Sequence, residues 1–259
     1  MEHKITTSLQ LREIFHLEFL RWFSRKVNQK YFALKGGSNL RFFFNSFRYS
    51  EDMDLDLRDI GVEKIKDVVM AILSASSFQD VLRPFGINGL IPPNINRAKQ
   101  TQTTQRFKVH LISSSGEDLF TKIEFSRRGF MGEAVVEPVS NVILRSYRLP
   151  PLLIAHYDMK SAIAQKIGAL GLRTVAQARD IFDLYILRSQ YERAPATEEK
   201  IKAAKSTEAY ERAFEINFEQ FRDTVISYLP PEDQMTYNFP SRWDEIKLQV
   251  ADFIKELNG

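Results

Sequence analysis

The 259-residue chain contains no cysteine, which excludes disulfides, zinc knuckles and thiol nucleophiles together and fits a reducing compartment. Glycine and proline are scarce, at 11 and 10 residues, so regular structure is favoured over long loops and collagen-like or low-complexity classes drop out. No apolar run approaches the ~20 residues that a membrane-spanning helix needs. The opening stretch, Met-Glu-His-Lys-Ile-Thr-Thr-Ser, also lacks the hydrophobic segment of a secretory leader. A cytoplasmic protein with no membrane association is the expectation. Of the 4 histidines (His3, His16, His110, His156), no two lie at a metal-ligand spacing and none adjoins a serine-based motif. Neither a zinc site nor a Ser-His hydrolase has support.

What is present is an ordinary globular composition, 44% hydrophobic with 20 Phe and 9 Tyr to supply core volume. The net charge is only +3, from 36 basic and 33 acidic residues, but it is unevenly spread. Residues 1–49 carry 9 basic and 3 acidic groups, 50–93 carry 4 and 8, and 94–180 carry 13 and 7. Two basic regions therefore bracket one acidic segment. That arrangement suits an anionic ligand over an acidic metal-binding patch, although charge alone is equally compatible with scattered solvated side chains.

Periodicity divides the chain. Leu11, Ile14, Phe15, Phe19, Trp22 and Phe23 recur at helical spacing within 9–28, with Ser8 as a candidate N-cap. A short apolar run from Tyr31 to Lys35 ends at Gly36-Gly37-Ser38, after which Asn39–Phe44 reads as the start of a helix. Strand, glycine turn and helix start is the layout of a phosphate site. Met53–Leu57 alternates strictly and places Asp52, Asp54 and Asp56 on one strand face. Residues 62–75 read as a helix, Pro92-Pro93 closes an irregular connection, and 107–112 with 121–125 form a hairpin around a turn at 113–118. After Pro150-Pro151 alternation almost disappears, and helical patterns run over 156–170, 174–189, 207–228 and 241–257, the last behind Ser241 as N-cap. Residues 191–206, polar and rich in Ala, Glu and Lys, read as a solvated connection or an exposed helix end. The expectation is an α+β protein: a lobe over 1–150 built on a mixed β-sheet with flanking helices, and a helical C-terminal lobe over 151–259 that closes the active-site cleft.

Asp52 and Asp54, two residues apart on a strand, set carboxylates about 6.5–7 Å apart on one face, within reach of shared divalent cations. Magnesium is usually held by one or two carboxylates, with substrate phosphates and waters completing its shell. The glycine turn ends thirteen residues before Asp52. Gly36 and Gly37 allow close backbone approach, Ser38 offers a hydroxyl and an amide, and Lys35 or Arg41 can neutralise phosphate charge. By residue type alone, Lys166 reads as a solvated helical lysine, and Arg179, Asp180 and Asp183 as surface pairs worth little energy. A calcium-binding structural domain is excluded, because no loop of six to eight oxygen ligands surrounds the Asp-x-Asp.

The order hydrophobic-Lys-Gly-Gly-Ser, thirteen residues, Asp-hydrophobic-Asp-hydrophobic resembles the signature of the polymerase-β-like nucleotidyltransferases. More narrowly, Leu-Lys-Gly-Gly-Ser-Asn-Leu-Arg (34–41) and Phe-Arg-Tyr-Ser-Glu-Asp-Met-Asp-Leu (47–55) resemble the AbiEii/AbiGii toxin family, related to the MenT toxins. Lys-Ile-Glu-Phe-Ser-Arg-Arg-Gly (122–129), Gln-Lys-Ile-Gly-Ala-Leu (165–170) and Ala-Arg-Asp-Ile-Phe-Asp-Leu-Tyr (178–185) extend the similarity to about residue 188. The resemblance implies that Asp52 and Asp54 bind metal, that the Gly37-Ser38 turn with Lys35 and Arg41 holds the triphosphate, and that Glu124 is a third carboxylate. Glu124 stands where the superfamily often has Asp, and acts as base or as metal ligand. Lys166 matches the family's functional lysine, expected to contact the nucleotide, and Asp180 its downstream acid. Asp56 is a neighbour of the conserved pair.

The resemblance further implies two magnesium ions and an NTP substrate. The nucleoside monophosphate would pass to an acceptor hydroxyl, foremost a tRNA 3′ end, in the toxin of a toxin–antitoxin or phage-defence system with a cognate antitoxin encoded nearby. A protein or small-molecule acceptor, or a catalytically silent nucleotide- or RNA-binding module, are the alternatives.

Overall fold

The computed structural model describes residues 7–191 and 206–258, so most of the polar 191–206 connection lies outside the described residues. The chain forms two compact units: Met1–Asn39, Tyr49–Phe130 and Ala134–His156 in the first, and Leu40–Arg48, Met131–Glu133 and Tyr157–Gly259 in the second.

The first unit opens with α1 (Ser8–Lys26). Its N-cap is Thr7 rather than Ser8, because Thr7 and Gln10 satisfy each other's backbone amides in a capping box. Then come β1 (Phe32–Lys35), α2 (Gly36–Phe43), which carries the chain into the second unit, and β2 (Met53–Leu57). They are followed by α3 (Val62–Leu73), α4 (Ser76–Leu82), β3 (Ile87–Ile91), β4 (Thr104–Ser113), β5 (Asp118–Ser126), β6 (Ala134–Pro138), α5 (Asn141–Ser146) and β7 (Leu153–Tyr157). The strands make one mixed sheet in the order β3-β4-β5-β2-β1-β7-β6. β2 lies antiparallel to β1 and parallel to β5, and β1 is parallel to β7. The 107–112 and 121–125 hairpin is longer than its alternation suggests, because β4 and β5 pair from Thr104–Ser126 to Ile112–Asp118.

One sheet face is covered by aromatic packing. Phe23 of α1 meets Phe32 at 5.1 Å and Phe125 at 5.4 Å, while Phe15 and Trp22 close on Phe78 of α4 at 6.1 and 5.4 Å. Phe107, Val109, Leu111, Ile123 and Phe125 are fully buried on the same side. Large aromatics of this kind bury roughly 150–250 Å² each and dominate a core.

Within this core one polar link reaches toward the acidic strand. His16 Nε2 and Thr121 Oγ1 are 2.7 Å apart, and Thr121 Oγ1 donates to the Glu51 carbonyl at 2.7 Å. Thr121 has given its proton to Glu51, so His16 must donate through Nε2, which fixes its tautomer. Burial, with the Arg12 charge adding to it, lowers the His16 pKa from 6.5 to about 3. A depressed value means that the neutral ring's contribution is intact above pH 6.5 and is lost as the pH falls toward 3, amounting to roughly 5 kcal/mol at full titration. His16→Gln, which stays neutral and keeps a donor, is expected to unfold at lower pH than the native chain. An acid titration followed by circular dichroism checks this, and coincident curves would remove His16 as the acid trigger.

The second unit is helical: α6 (Met159–Leu172), α7 (Ala178–Tyr191), α8 (Ser206–Arg212), α9 (Phe218–Thr224), α10 (Pro231–Tyr237) and α11 (Pro240–Asn258). The single helical pattern over 207–228 resolves into α8 and α9. The break comes where Asn217 starts a new capping box with Gln220. Trp243 of α11 stacks on Phe221 at 4.2 Å and donates its indole N–H to the Ile216 carbonyl at 2.9 Å, which fastens the last helix to the break.

Candidate active site

β2 carries the acidic motif at the centre of the sheet. Cross-strand register sets Asp54 opposite Lys35 of β1 and opposite Glu124 of β5, so all three side chains share the face turned away from the aromatic core. Burial pushes the Asp54 carboxyl up; Lys122 and Lys35 pull it down, and the Glu124 and Asp52 charges raise it again. Asp52, at the entrance of β2, lies 2.9 Å from Lys122 Nζ, which is also 4.0 Å from Glu124. Arg106 of β4 donates to Glu124 Oε2 at 2.7 Å. Asp56 is buried and pairs with Lys35 at 2.5 Å, so the Lys35 ammonium faces a carboxylate within its own sheet.

The glycine turn stands against this row. Gly36 has φ +68°, a left-handed conformation that favours glycine, and a Cβ there would lie 3.2 Å from Asp54 Oδ2. A side chain there would be strained by the backbone conformation and would require the carboxylate to give way by a few tenths of an ångström. Gly37 and Ser38 follow in the first turn of α2. The Ser38 hydroxyl donates to the Asp52 carbonyl at 3.1 Å, and the Ser50 hydroxyl donates to the same oxygen at 2.8 Å. Ser38 is itself buried, so its side chain ties the turn to the strand while its backbone belongs to the helix start. Both the separation and the angle of turn and strand are thus set by main chain and hydroxyls.

Oxygen donors of this kind suit a hard divalent cation in chemistry. The half-buried Asp54 carboxyl, raised by desolvation and by two neighbouring carboxylates, is the group that such a charge would relieve. As they stand, no three acidic or imidazole side chains among the described residues converge on one point, and the Lys122 and Arg106 cations neutralise Asp52 and Glu124 instead.

The remaining sequence-derived candidates fall in the second unit. Arg41, late in α2, donates to the Ser46 carbonyl at 3.1 Å. Lys166 projects from α6, whose start is capped by Asp158 accepting from the Ser161 amide at 2.9 Å. Its ammonium contacts Asp180 at 3.1 Å and Asp183 at 2.6 Å, both one turn apart on α7. Arg48 grips Asp183 with two hydrogen bonds of 3.0 Å, and Arg173 Nε approaches Asp180 Oδ2 to 2.9 Å. Asp180 and Asp183 are fully buried. They are therefore not the surface pair that their residue types suggest. Burial drives the Asp183 carboxyl up, but Arg48 and Lys166 together outweigh it and hold the group below the usual carboxylate range. Lys122, Arg106, Arg48, Arg173 and Asp183 are members of the two charge networks that sequence reasoning leaves out. The three-residue step from Asp180 to Asp183 on one helix face, with Lys166 on the preceding helix, is the signal that could have found Asp183.

The model of the "Nucleotidyl transferase AbiEii toxin, Type IV TA system" family matches residues 18–249. The chain belongs to the AbiEii family. It is a nucleotidyltransferase of the AbiEii toxin type, with a mixed sheet and helices in an α+β arrangement. The fold is shared by the crystal structure of JHP933 from Helicobacter pylori, at 17% identity and TM-score 0.55, covering 98% of this chain and 93% of that one. It is also shared by MenT4, a nucleotidyltransferase toxin from Mycobacterium tuberculosis H37Rv, at 16% identity and TM-score 0.57, covering 96% of this chain and 84% of that one. No curated protein matches the chain significantly. Membership of a type IV toxin–antitoxin family implies an NTP substrate and a cognate antitoxin. Among the described residues no helix is long and apolar enough to cross a membrane.

Proposed function

We propose that this AbiEii protein transfers a nucleoside monophosphate from an NTP to the 3′ hydroxyl of a tRNA, and so acts as the toxin that its antitoxin restrains. The observation that carries the reading is the register of β2 on β5, with Asp54 opposite Glu124 and the Gly36 turn against the same carboxylate. In this reading the start of α2, with the Gly37 and Ser38 backbone, receives the triphosphate, because helix N-termini offer amide donors and positive potential to phosphate. Asp52, Asp54 and Glu124 are the residues that would hold magnesium, two ions in the proposed reading. When bound, these would stabilise negative charge on the entering and leaving oxygens. The acceptor oxygen attacks the α-phosphorus, its proton passes to a carboxylate of this row, with Glu124 as the candidate base, and the bond to the β-phosphate breaks to release pyrophosphate. Lys35 and Lys122 moderate the repulsion between carboxylates that must lie close together.

Lys166 and Asp180 enter the reading through the family resemblance. In the second unit Lys166 is held between two buried carboxylates, so its ammonium is oriented before substrate arrives. The domain assignment proposed with it is a catalytic lobe over 1–150 and a helical lobe over 151–259.

The test is incubation with each α-³²P-labelled NTP, magnesium and total tRNA, beside Asp52→Ala. Label on RNA in the native protein alone is the expected result and names the nucleotide. Label on a protein or small molecule instead would retain the chemistry and overturn the tRNA acceptor.

A further inference from the structure

The sheet face that carries the carboxylates does not stop at them. In register across β2, β5 and β4, a first row holds Asp54, Glu124 and Arg106. Two residues along, a second row pairs Lys122 with Lys108, and a third pairs Phe120 with His110, whose β3 partner is Ile91. Same-face rows on a strand are roughly 6.6 Å apart, so the third row lies about 13 Å from the first. The alternate positions Thr121, Ile123, Val109 and Leu111 are buried under α1 and its neighbours. These rows, with Ile112 opposite Asp118 beyond them, make up the face left to solvent.

Its chemistry changes with distance from the carboxylates. Lys108 is exposed and forms no ion pair among the described residues. Phe120 is 60% exposed, an unusual setting for a large aromatic, and its ring stacks on His110 at 4.6 Å with an interplanar angle of 21°. The His110 ring is held in turn by Asp118, at 2.6 Å from Nε2. Ile91 is half-exposed beside it. A rigid aromatic step with a lysine pair between it and the reacting carboxylates matches the alternation of base and phosphodiester in a single strand. Stacking of bases on aromatic side chains with cations tracking the backbone is the general mode of single-strand binding.

We propose that the open face of β3, β4 and β5 is the acceptor platform of this transferase. It takes the single-stranded 3′ end of a polynucleotide, with a base on Phe120 and His110 and a phosphodiester on Lys108, beside the Lys122 that pairs with Asp52. The inference rests on the transferase reading of the first row and adds where the acceptor lies. Charge complementarity and direct continuity with the carboxylates favour a nucleic-acid end over a protein partner.

Fluorescence anisotropy with labelled 12-nucleotide RNA and DNA strands, single-stranded or blunt duplex, tests the platform without turnover. The single strands are expected to bind more tightly than the duplexes, and the RNA and DNA arms identify the sugar. Phe120→Ala should weaken binding roughly 10- to 100-fold, with Phe120→Trp restoring it. Lys108→Ala should lower the slope of log affinity against log salt by about one. Unchanged affinity in Phe120→Ala, or no binding of any strand by the native chain, overturns the platform. If the native chain nevertheless labels another acceptor from NTP, the transferase reading survives that failure. Binding that depends on Phe120 with no transfer to RNA from any NTP would instead uphold the strand-binding face and remove the tRNA-acceptor reading.

Discussion

Asp54→Asn is expected to abolish nucleotidyl transfer and to raise the melting temperature at neutral pH. The side chain keeps its shape, so the close passage of Gly36 beside it is undisturbed, but the charge is gone. Loss of a group that holds a catalytic cation removes several kcal/mol of transition-state stabilisation, on the order of 10³-fold in rate. The stability effect has the opposite sign. Burial raises the Asp54 pKa, with Glu124 and Asp52 adding to that rise against Lys122 and Lys35. A raised folded-state value means that the protonated side chain contributes stability at low pH, and that this contribution is lost as the pH climbs through the shifted value. The gap in melting temperature between variant and native protein should therefore open as pH rises, and magnesium should narrow it by stabilising only the native chain. Calorimetry across pH 4–8, with and without magnesium, reads all three. An Asn variant less stable than the native protein at every pH would show that the Asp54 charge is not under strain, and retained transfer would remove it from the reaction.

Asp183→Ala is expected to cost about 3–5 kcal/mol of stability, because it removes the fully buried carboxylate that Arg48 and Lys166 share. In a chain of this size that is a drop on the order of 10 °C in melting temperature. The partner experiment is Arg48→Met with Asp183→Leu. Replacing a buried pair by apolar groups of similar volume is often neutral or better, so the double variant should recover much of the loss, with Asp180 still held by Lys166 at 3.1 Å and Arg173 at 2.9 Å. Thermal melts of the two variants check the pair. Equal melting for Asp183→Ala and the native chain would mean that water reaches this network and screens it.

The carboxylate strand was legible because β2 alternates: a strand with one aromatic-packed face and one polar face writes its orientation into every second residue. The glycine turn was legible for a related reason, since a pair of glycines before a helix start has few uses. β7 was not. Four of its five residues are buried, as befits a strand flanked by neighbours in the sheet interior, so Leu153–Tyr157 shows no alternation and merges with the pattern of α6. The AbiEii motif residues could be named one by one, but what surrounds them could not. Lys122 at 2.9 Å from Asp52, and Arg106 against Glu124, depend on strand register between segments far apart in sequence. Asp183 was misread for a sharper reason. Asp, Arg and Lys are mostly exposed residues, and only the packing of α6 against α7 shows that these acids are sealed from water.

Gly36 has one more implication. If the turn receives the triphosphate, then the span from phosphate to carboxylate is written in main-chain geometry, because a glycine at φ +68° and two hydroxyls on the Asp52 carbonyl set it. Apart from the Ser38 and Ser50 hydroxyls, no side chain tunes that span. The choice of triphosphate donors is in this sense frozen hardware, whereas the outer rows of β4 and β5, built from side chains alone, are free to be rewritten one residue at a time for a new acceptor.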